Sequence, residues 1–106
     1  MGMDLVGLKP TSDKGKYMRV SHGAWSVLVP VCLGVAPAIC KPIKSWANDG
    51  DGLDNTHSLQ LATVLATLPE DLHGFGPTVD QNMTGGRQLI RDFVDFLKDS
   101  GGFSIC

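Results

Sequence analysis

The strongest pattern of apolar positions lies in residues 87–100. Apolar side chains recur there every three or four positions, which is the spacing of one face of an α-helix, and charged side chains fill the other side. Gly101 follows at once and suits the left-handed backbone conformation that ends many helices. The pattern therefore predicts a helix over 87–100 that ends at Gly101. Its apolar face consists of Leu89, Ile90, Phe93, Val94, Phe96 and Leu97.

An uncharged stretch at residues 24–39 also predicts helical structure. Pro30 suits the first turn of a helix, where the backbone N–H that proline lacks is not needed. Pro37 then stops or kinks the segment. A valine-rich run of this kind is also typical of a buried strand, so the pattern leaves both structures open.

Leucines mark one more helix in the middle of the chain. Leu61, Leu65 and Leu68 are spaced at i, i+4 and i+7, so they share one helix face. Asp54 and Asn55 precede this run, and both residue types are favoured N-caps. We predict a helix that begins after one of these two residues and ends at about Leu68.

Short apolar runs at residues 4–8 and 103–105 predict strands near the two ends of the chain. Polar and glycine-rich residues predict loops at 11–16 and 70–86. The most economical arrangement pairs the two terminal strands in a small sheet and packs about three helical segments on one of its faces. We therefore predict an α+β fold, mostly α, as a single domain over residues 1–106.

Composition limits the classes of function. The chain has 106 residues, of which 42% are hydrophobic and 19% charged, and its formal net charge is −2, which excludes a strongly basic nucleic-acid binder. Residues 1–46 carry six basic and two acidic side chains, a net charge of +4, together with Tyr17, Trp25 and Trp46. This half favours an acidic protein partner or, as an alternative, weak binding of nucleic acid.

The uncharged residues 23–40 raise the question of a membrane span. Pro30, Gly34 and Pro37 interrupt the run, and a spanning helix needs about 20 apolar residues. We expect a buried core segment and no membrane partner. The N-terminal residues show no export signal, so a cytoplasmic location with reduced thiols is expected. The three thiols are Cys32, Cys40 and Cys106.

Closely spaced carboxylates form a candidate cation site. Asp49, Asp51 and Asp54 stand among glycines, as in calcium-binding loops, and His57 follows Asp54 by three residues. The spacing around Gly52 does not fit the EF-hand. A structural interpretation is that the glycines turn the chain while the acids face the positive end of the next helix. We expect no cofactor, and a metal-binding module or metal-dependent enzyme at these residues stays an alternative.

Other chemical motifs are weak. The chain has no G-x-S-x-G elbow, and the GGR at 85–87 lacks the Lys-Ser/Thr of a phosphate-binding P-loop. Four soft ligands do not have zinc-site spacing, since no C-x-x-C pair occurs. We therefore expect no enzymatic activity. These four residues are His22, Cys32, Cys40 and Cys106.

Charges on the C-terminal helix run against its dipole. Arg87 and Arg91 lie towards its N-terminal end, and Asp95 and Asp99 lie towards its C-terminal end. An Arg91–Asp95 pair at i, i+4 would partly offset this. Charges in an unfavourable order indicate use as a binding face. Together with residues of the basic half, the candidate partner-binding residues are Tyr17, Lys41, Lys44, Trp46, Arg87 and Arg91.

Three motifs carry a resemblance to known proteins. They are MGxDxxGxxPTSxxGxY at residues 1–17, NDGDGL at 48–53 and FxxFLxxSGGFxI at 93–105. Together with VAP at 35–37, they resemble a family of short bacterial and phage proteins for which no activity is established. The resemblance covers about half of the chain. The chain departs from that family at 24–36, where relatives have more tryptophan and charge, and at 71–86, where some carry a cysteine-rich insertion.

These observations favour a small protein-interaction module. The resemblance implies a phage or mobile-element accessory protein. Its expected partner is then a host protein, and the specific hypothesis is inhibition of a host defence protein, as anti-CRISPR proteins do. Inhibitors of this kind share no common sequence signature, so the hypothesis rests on analogy.

Overall fold

A computed structural model describes residues 2–43, 46, 50–67 and 83–105, with residues 2 and 83–87 described through their backbone alone. These ranges contain four strands and four helices. In chain order the elements are β1 (Gly2–Gly7), α1 (Asp13–Lys16), β2 (Tyr17–Ser21), α2 (His22–Val35), β3 (Gly52–Asp54), α3 (Asn55–Ala66), α4 (Met83–Ser100) and β4 (Gly102–Ile105).

The four strands form one antiparallel sheet in the order β2-β1-β4-β3. Leu5 of β1 pairs with Met18 of β2 on one side and with Ile105 of β4 on the other. Leu53 of β3 pairs with Phe103 of β4. The predicted pairing of the two terminal strands is confirmed, and so is the α+β, mostly helical fold class.

One face of the sheet is buried and packs against the helices. Met3 and Leu5 of β1 are buried, whereas the next residue, Val6, is exposed, as the alternation of side chains along a strand requires. Val20 and Phe103 bury the same face of the neighbouring strands. Helices α2, α3 and α4 contact the sheet and one another and so enclose this core.

Helix α4 and strand β4 provide the aromatic centre of the core. Phe93, Phe96 and Leu97 of α4 are fully buried, as the apolar pattern predicts. The ring of Phe103 meets Phe93 edge-on at 6.1 Å between centroids and meets Phe96 at 6.0 Å. Gly101 joins the two elements with φ +70°, the left-handed conformation expected for the end of this helix.

Helix α2 begins earlier than the sequence predicts. Its N-cap is Ser21, whose hydroxyl oxygen accepts a hydrogen bond from the Ala24 N–H at 3.1 Å. Pro30 therefore lies inside the helix, and its predicted place in the first turn is wrong, because the serine cap starts the helix well before the proline ring. The helix ends at Val35, just before Pro37. Within the described ranges, no helix has both the length and the apolar character needed to cross a bilayer.

Two predicted loops are only partly loops. Residues 11–16 include the short helix α1. Helix α4 begins at Met83 rather than Arg87, so the end of the predicted 70–86 loop is helical; residues 70–82 lie outside the described residues. Neither β2 nor β3 is evident from the sequence, because each is short and gains its strand geometry by pairing with a terminal strand.

Candidate interaction site at the open edge of the sheet

Strand β2 lies at one edge of the sheet, and among the described strands it pairs with β1 alone. It runs from Tyr17 to Ser21, directly after α1 and directly before α2. An edge strand presents backbone N–H and C=O groups that no neighbouring strand uses, and these groups can pair with an added strand. The backbone groups of β2 that face outwards therefore decide what this edge can bind.

One hydrogen bond fixes which groups these are. The Leu8 N–H donates to the Gly102 carbonyl at 2.8 Å, so even-numbered residues of β1 direct their backbone groups towards β4. Backbone direction alternates along an antiparallel ladder, so odd-numbered residues of β1 direct their N–H and C=O groups towards β2. Leu5 therefore forms backbone hydrogen bonds with Met18, the residue opposite it on β2. By the same alternation, Arg19 directs both its N–H and its C=O away from the sheet. Apart from ladder and helix bonds, the described backbone hydrogen bonds include none to this residue.

A cleft of about 300 Å³ lies beside this edge, between β2 and α4. Its apolar surface comes from Met18 and Phe96, and two carboxylates of α4 also line it. Tyr17 and Arg19 border it on the strand side and Lys14 borders it from α1. The carboxylates are those of Asp92 and Asp95.

The charges in this cleft are balanced. Lys14 Nζ lies 3.6 Å from Asp95 Oδ2, and both side chains are about half exposed or more, so the pair contributes little to stability. Asp92 Oδ1 accepts a hydrogen bond from the Gln88 amide at 2.8 Å. The ion pairs found in the described part of the chain include none with Asp92 or Arg19. Asp92, which lines the cleft, and Arg19, which borders it from the strand, thus have no oppositely charged partner among these ion pairs.

Tyr17 is held on the outer face of the sheet. Its hydroxyl donates a hydrogen bond to the carboxylate of Asp4, which stands on the neighbouring strand β1. This hydrogen bond is the main reason that the pKa of Tyr17 is raised above its ordinary value. Tyr17 is 51% exposed and borders the cleft, so it is an aromatic contact surface at the open edge.

The structure brings few of the predicted partner-binding residues together. Tyr17 borders the cleft, whereas Arg91 and Lys41 are exposed elsewhere and do not line it. Trp46 is buried: its carbonyl accepts the Trp25 indole N–H at 2.7 Å, and the two rings lie 5.8 Å apart. Trp46 is therefore a core residue rather than an exposed contact. Lys44 and the side chain of Arg87 lie outside the described residues.

The sequence alone does not assign the other cleft residues to a site. Lys14, Arg19 and Asp92 are ordinary charged residues in the sequence, and only the three-dimensional structure shows that they line one cleft. Alternation of Met18 and Val20 with polar residues is the one sequence signal that could have identified β2.

Asp54 and Asp51 of the Asp/Gly loop both take part in structural hydrogen bonds, Asp54 through its carboxylate and Asp51 through its backbone carbonyl. Asp54 is the N-cap of α3, and its Oδ1 accepts the His57 N–H at 2.8 Å and lies 2.7 Å from His57 Nδ1. The backbone bond from His57 is the main cause of the lowered pKa of Asp54. The Asp51 carbonyl accepts the Ile105 N–H. In the described ranges no three such side chains gather around a metal position, and Asp49 lies outside them.

Two of the candidate zinc ligands meet in the core. Cys32 and Cys40 are free and buried, and Cys40 Sγ lies 3.9 Å from the Cys32 carbonyl. A hydrogen bond with the Cys40 thiol, together with burial, raises the pKa of Cys32 well above its ordinary value. His22 is exposed at the far end of α2, and Cys106 lies outside the described residues. The two thiols fill the core, as the apolar run around them predicts.

No protein-family model, curated protein or solved structure matches the chain. The resemblance to short bacterial and phage proteins therefore stays a prediction from the three motifs. A proposal about function therefore has to be argued from the edge strand β2 and the cleft beside it.

Proposed function

We propose that this protein is a non-enzymatic interaction module that binds a partner protein by strand addition at β2. The observation that carries the proposal is the outward direction of the Arg19 N–H and C=O at the border of a cleft. Strand addition needs both parts: backbone groups give affinity, and an adjacent pocket receives alternate side chains. Here β2 supplies the backbone groups, and the cleft between β2 and α4 supplies the pocket.

The balanced charge of the cleft supports a protein partner. A nucleic-acid site neutralises many phosphates with clustered cations. Here Asp92 and Asp95 stand among the same lining residues as Lys14 and Arg19. A segment of polypeptide, with side chains of both signs, complements such a surface better than a polyanion does.

The partner that we propose more specifically is a host defence protein. This part rests on the resemblance of three sequence motifs to a family of short bacterial and phage proteins, and it makes the chain an anti-defence inhibitor of the anti-CRISPR type. Added strands can block a surface that the host protein needs, without any chemistry by the inhibitor. A cytoplasmic site of action follows from the same proposal.

Capture from a bacterial lysate tests the proposal, with Arg19→Pro as the decisive variant. Proline removes the outward N–H and places its ring at the open edge, and edge strands accept proline where its N–H bonds no neighbour. Arg19→Lys is the matched control, since it keeps both the N–H and the charge. Thermal unfolding of both variants shows whether they are folded.

We expect mass spectrometry to identify a protein that the native chain and Arg19→Lys retain and that Arg19→Pro loses. Equal retention by a folded Arg19→Pro variant would contradict binding at this edge. A purified CRISPR–Cas effector complex serves as a separate probe. Its failure to bind while another protein is retained would remove the anti-CRISPR form and leave the interaction module.

A further inference from the structure

We infer that the partner segment at β2 carries an acidic residue followed directly by a basic one, and that it runs antiparallel to β2. This inference rests on the proposed function and specifies its partner. It follows from the cleft's side chains and from the geometry of an added strand.

The direction of the added strand follows from the sheet. Every strand pair in its described part is antiparallel, and antiparallel pairing is slightly more stable per residue than parallel pairing. In an antiparallel strand, the residue opposite Arg19 precedes the residue opposite Met18. Side chains directly opposite each other lie on the same face of the sheet.

The position opposite Met18 takes a basic side chain. Met18 is half-buried on the helix-covered face, so the opposite side chain enters the cleft towards α4. There its aliphatic stem contacts Met18 and Phe96, and its charged end approaches Asp92, which lines the same cleft. Lysine and arginine combine an apolar stem with a charged end in this way. Asp95 is already paired with Lys14, which leaves Asp92 to receive the cation.

The position opposite Arg19 takes an acidic side chain. Arg19 borders the cleft, and its guanidinium has no ion-pair partner among the described pairs. Asp4 stands opposite Arg19 on β1, and one of its carboxylate oxygens accepts the Tyr17 hydroxyl. Oppositely charged residues directly across a strand pair stabilise it, and a basic residue here would repel Arg19. The position opposite Tyr17 faces the same outer surface and suits a β-branched or aromatic residue.

Two peptides of identical composition test the order of the charges. One is an acetylated, amidated eight-residue peptide with Glu-Lys-Val at its centre between threonines, and the other has Lys-Glu-Val instead. Fluorescence anisotropy of dye-labelled peptides gives both dissociation constants against the native chain. We expect the Glu-Lys peptide to bind about 3- to 10-fold more tightly, the range for one or two partly exposed ion pairs.

Variants of the protein assign that preference to the two side chains. Asp92→Asn and Arg19→Thr should each lower the preference, and together they should remove it, while Arg19→Pro should abolish binding of both peptides. Asp92→Lys should reverse the charge preference at the position opposite Met18 and so favour a Glu-Glu-Val peptide. Lys98→Ala, which removes an exposed charge of the same helix outside the cleft, is the matched control and should leave the preference unchanged.

Three results would overturn the inference. One is equal binding of the two peptides, or a preference that survives Asp92→Asn with Arg19→Thr. Another is no binding of either peptide; in that case lysate capture with Arg19→Pro still decides the proposed function separately. The third is self-association of the native chain in sedimentation that Arg19→Pro abolishes, which would make a second copy the occupant of this edge.

Discussion

Gly15 of α1 lies against the backbone carbonyl of Asp99 in α4, so closely that a Cβ at position 15 would overlap this carbonyl. Two hydrogen bonds hold the same contact: the Thr11 N–H donates to the Asp99 carbonyl at 2.8 Å, and Ser12 Oγ donates to Asp99 Oδ2 at 2.7 Å. The contact fixes α1 on the C-terminal end of α4. It thereby holds Lys14 at the border of the cleft.

Gly15→Ala is expected to destabilise the protein by about 1–3 kcal/mol or more, because the extra methyl group meets backbone that cannot move away cheaply. Gly23→Ala is the matched control. Gly23 lies in α2 with no atom within 4 Å of the place that a Cβ would take, so alanine there should stabilise by about 0.4–1 kcal/mol. Urea unfolding measures both values. Equal stability of the two variants would show that α1 does not pack on α4 this closely.

Phe93→Ala tests the aromatic centre of the core. Phe93 is fully buried against Phe103, and its loss should lower the free energy of unfolding by about 3–5 kcal/mol, out of the roughly 5–15 kcal/mol typical of a domain. Arg91→Ala, on the exposed side of the same helix, should change it by no more than about 0.5 kcal/mol. A Phe93→Ala variant as stable as Arg91→Ala would contradict the packing of α4.

Asp54 gives the protein a pH-dependent helix cap. Its pKa is lowered in the folded state, mainly by the His57 N–H, so the ionised form contributes stability above its ordinary pKa of 3.8, and this contribution is lost as pH falls through the lower folded value. Asp54→Ala should therefore lower the midpoint of thermal unfolding at neutral pH by more than at about pH 3. Asp54→Ser keeps a capping oxygen without a titratable group, so it should lose the pH dependence but keep most of the cap. A penalty for Asp54→Ala that does not change with pH would be inconsistent with this role.

Much of the fold could be predicted because it is encoded locally. The apolar spacing around Phe93, the Asp54 cap and Gly101 all act within a few residues, and each is recognisable in the sequence. The pairing of the two terminal strands is also predictable, because the sequence shows no other clear strand for either of them; their register, which places Leu5 opposite Ile105, is not.

The site was not predictable because it depends on strand order. Arg19 becomes an edge residue only because β2 pairs with β1 on the side away from β4, and no local pattern encodes that choice. Trp46 shows the opposite error: an aromatic residue in a basic segment suggests a contact surface, yet the indole N–H of Trp25 binds its carbonyl in the core. Composition therefore suggests an exposed position for a residue that the fold buries.

Cys32 and Cys40 should react slowly with thiol reagents in the native protein, because both are buried. The hydrogen bond between the two thiols, together with burial, raises the pKa of Cys32. The same hydrogen bond lowers the pKa of Cys40, so burial alone must protect that thiol. The measurement uses a Cys106→Ser background, so that only these two thiols report. Rapid labelling should appear on addition of denaturant. Fast labelling of the native protein, or a native mass about two daltons below the reduced value, would show that the thiols are accessible or oxidised.

Strand addition at β2 requires an open edge at Arg19, and amide hydrogen exchange tests this requirement without any partner. Met18 and Val20 bond β1 through their backbone, so their N–H groups should be protected, whereas the Arg19 N–H points away from β1 and bonds no described strand. We predict exchange at Arg19 about 100-fold or more faster than at its two neighbours. An Arg19 amide as slow to exchange as that of Val20 would show that this edge is already occupied, and it would contradict strand addition at β2.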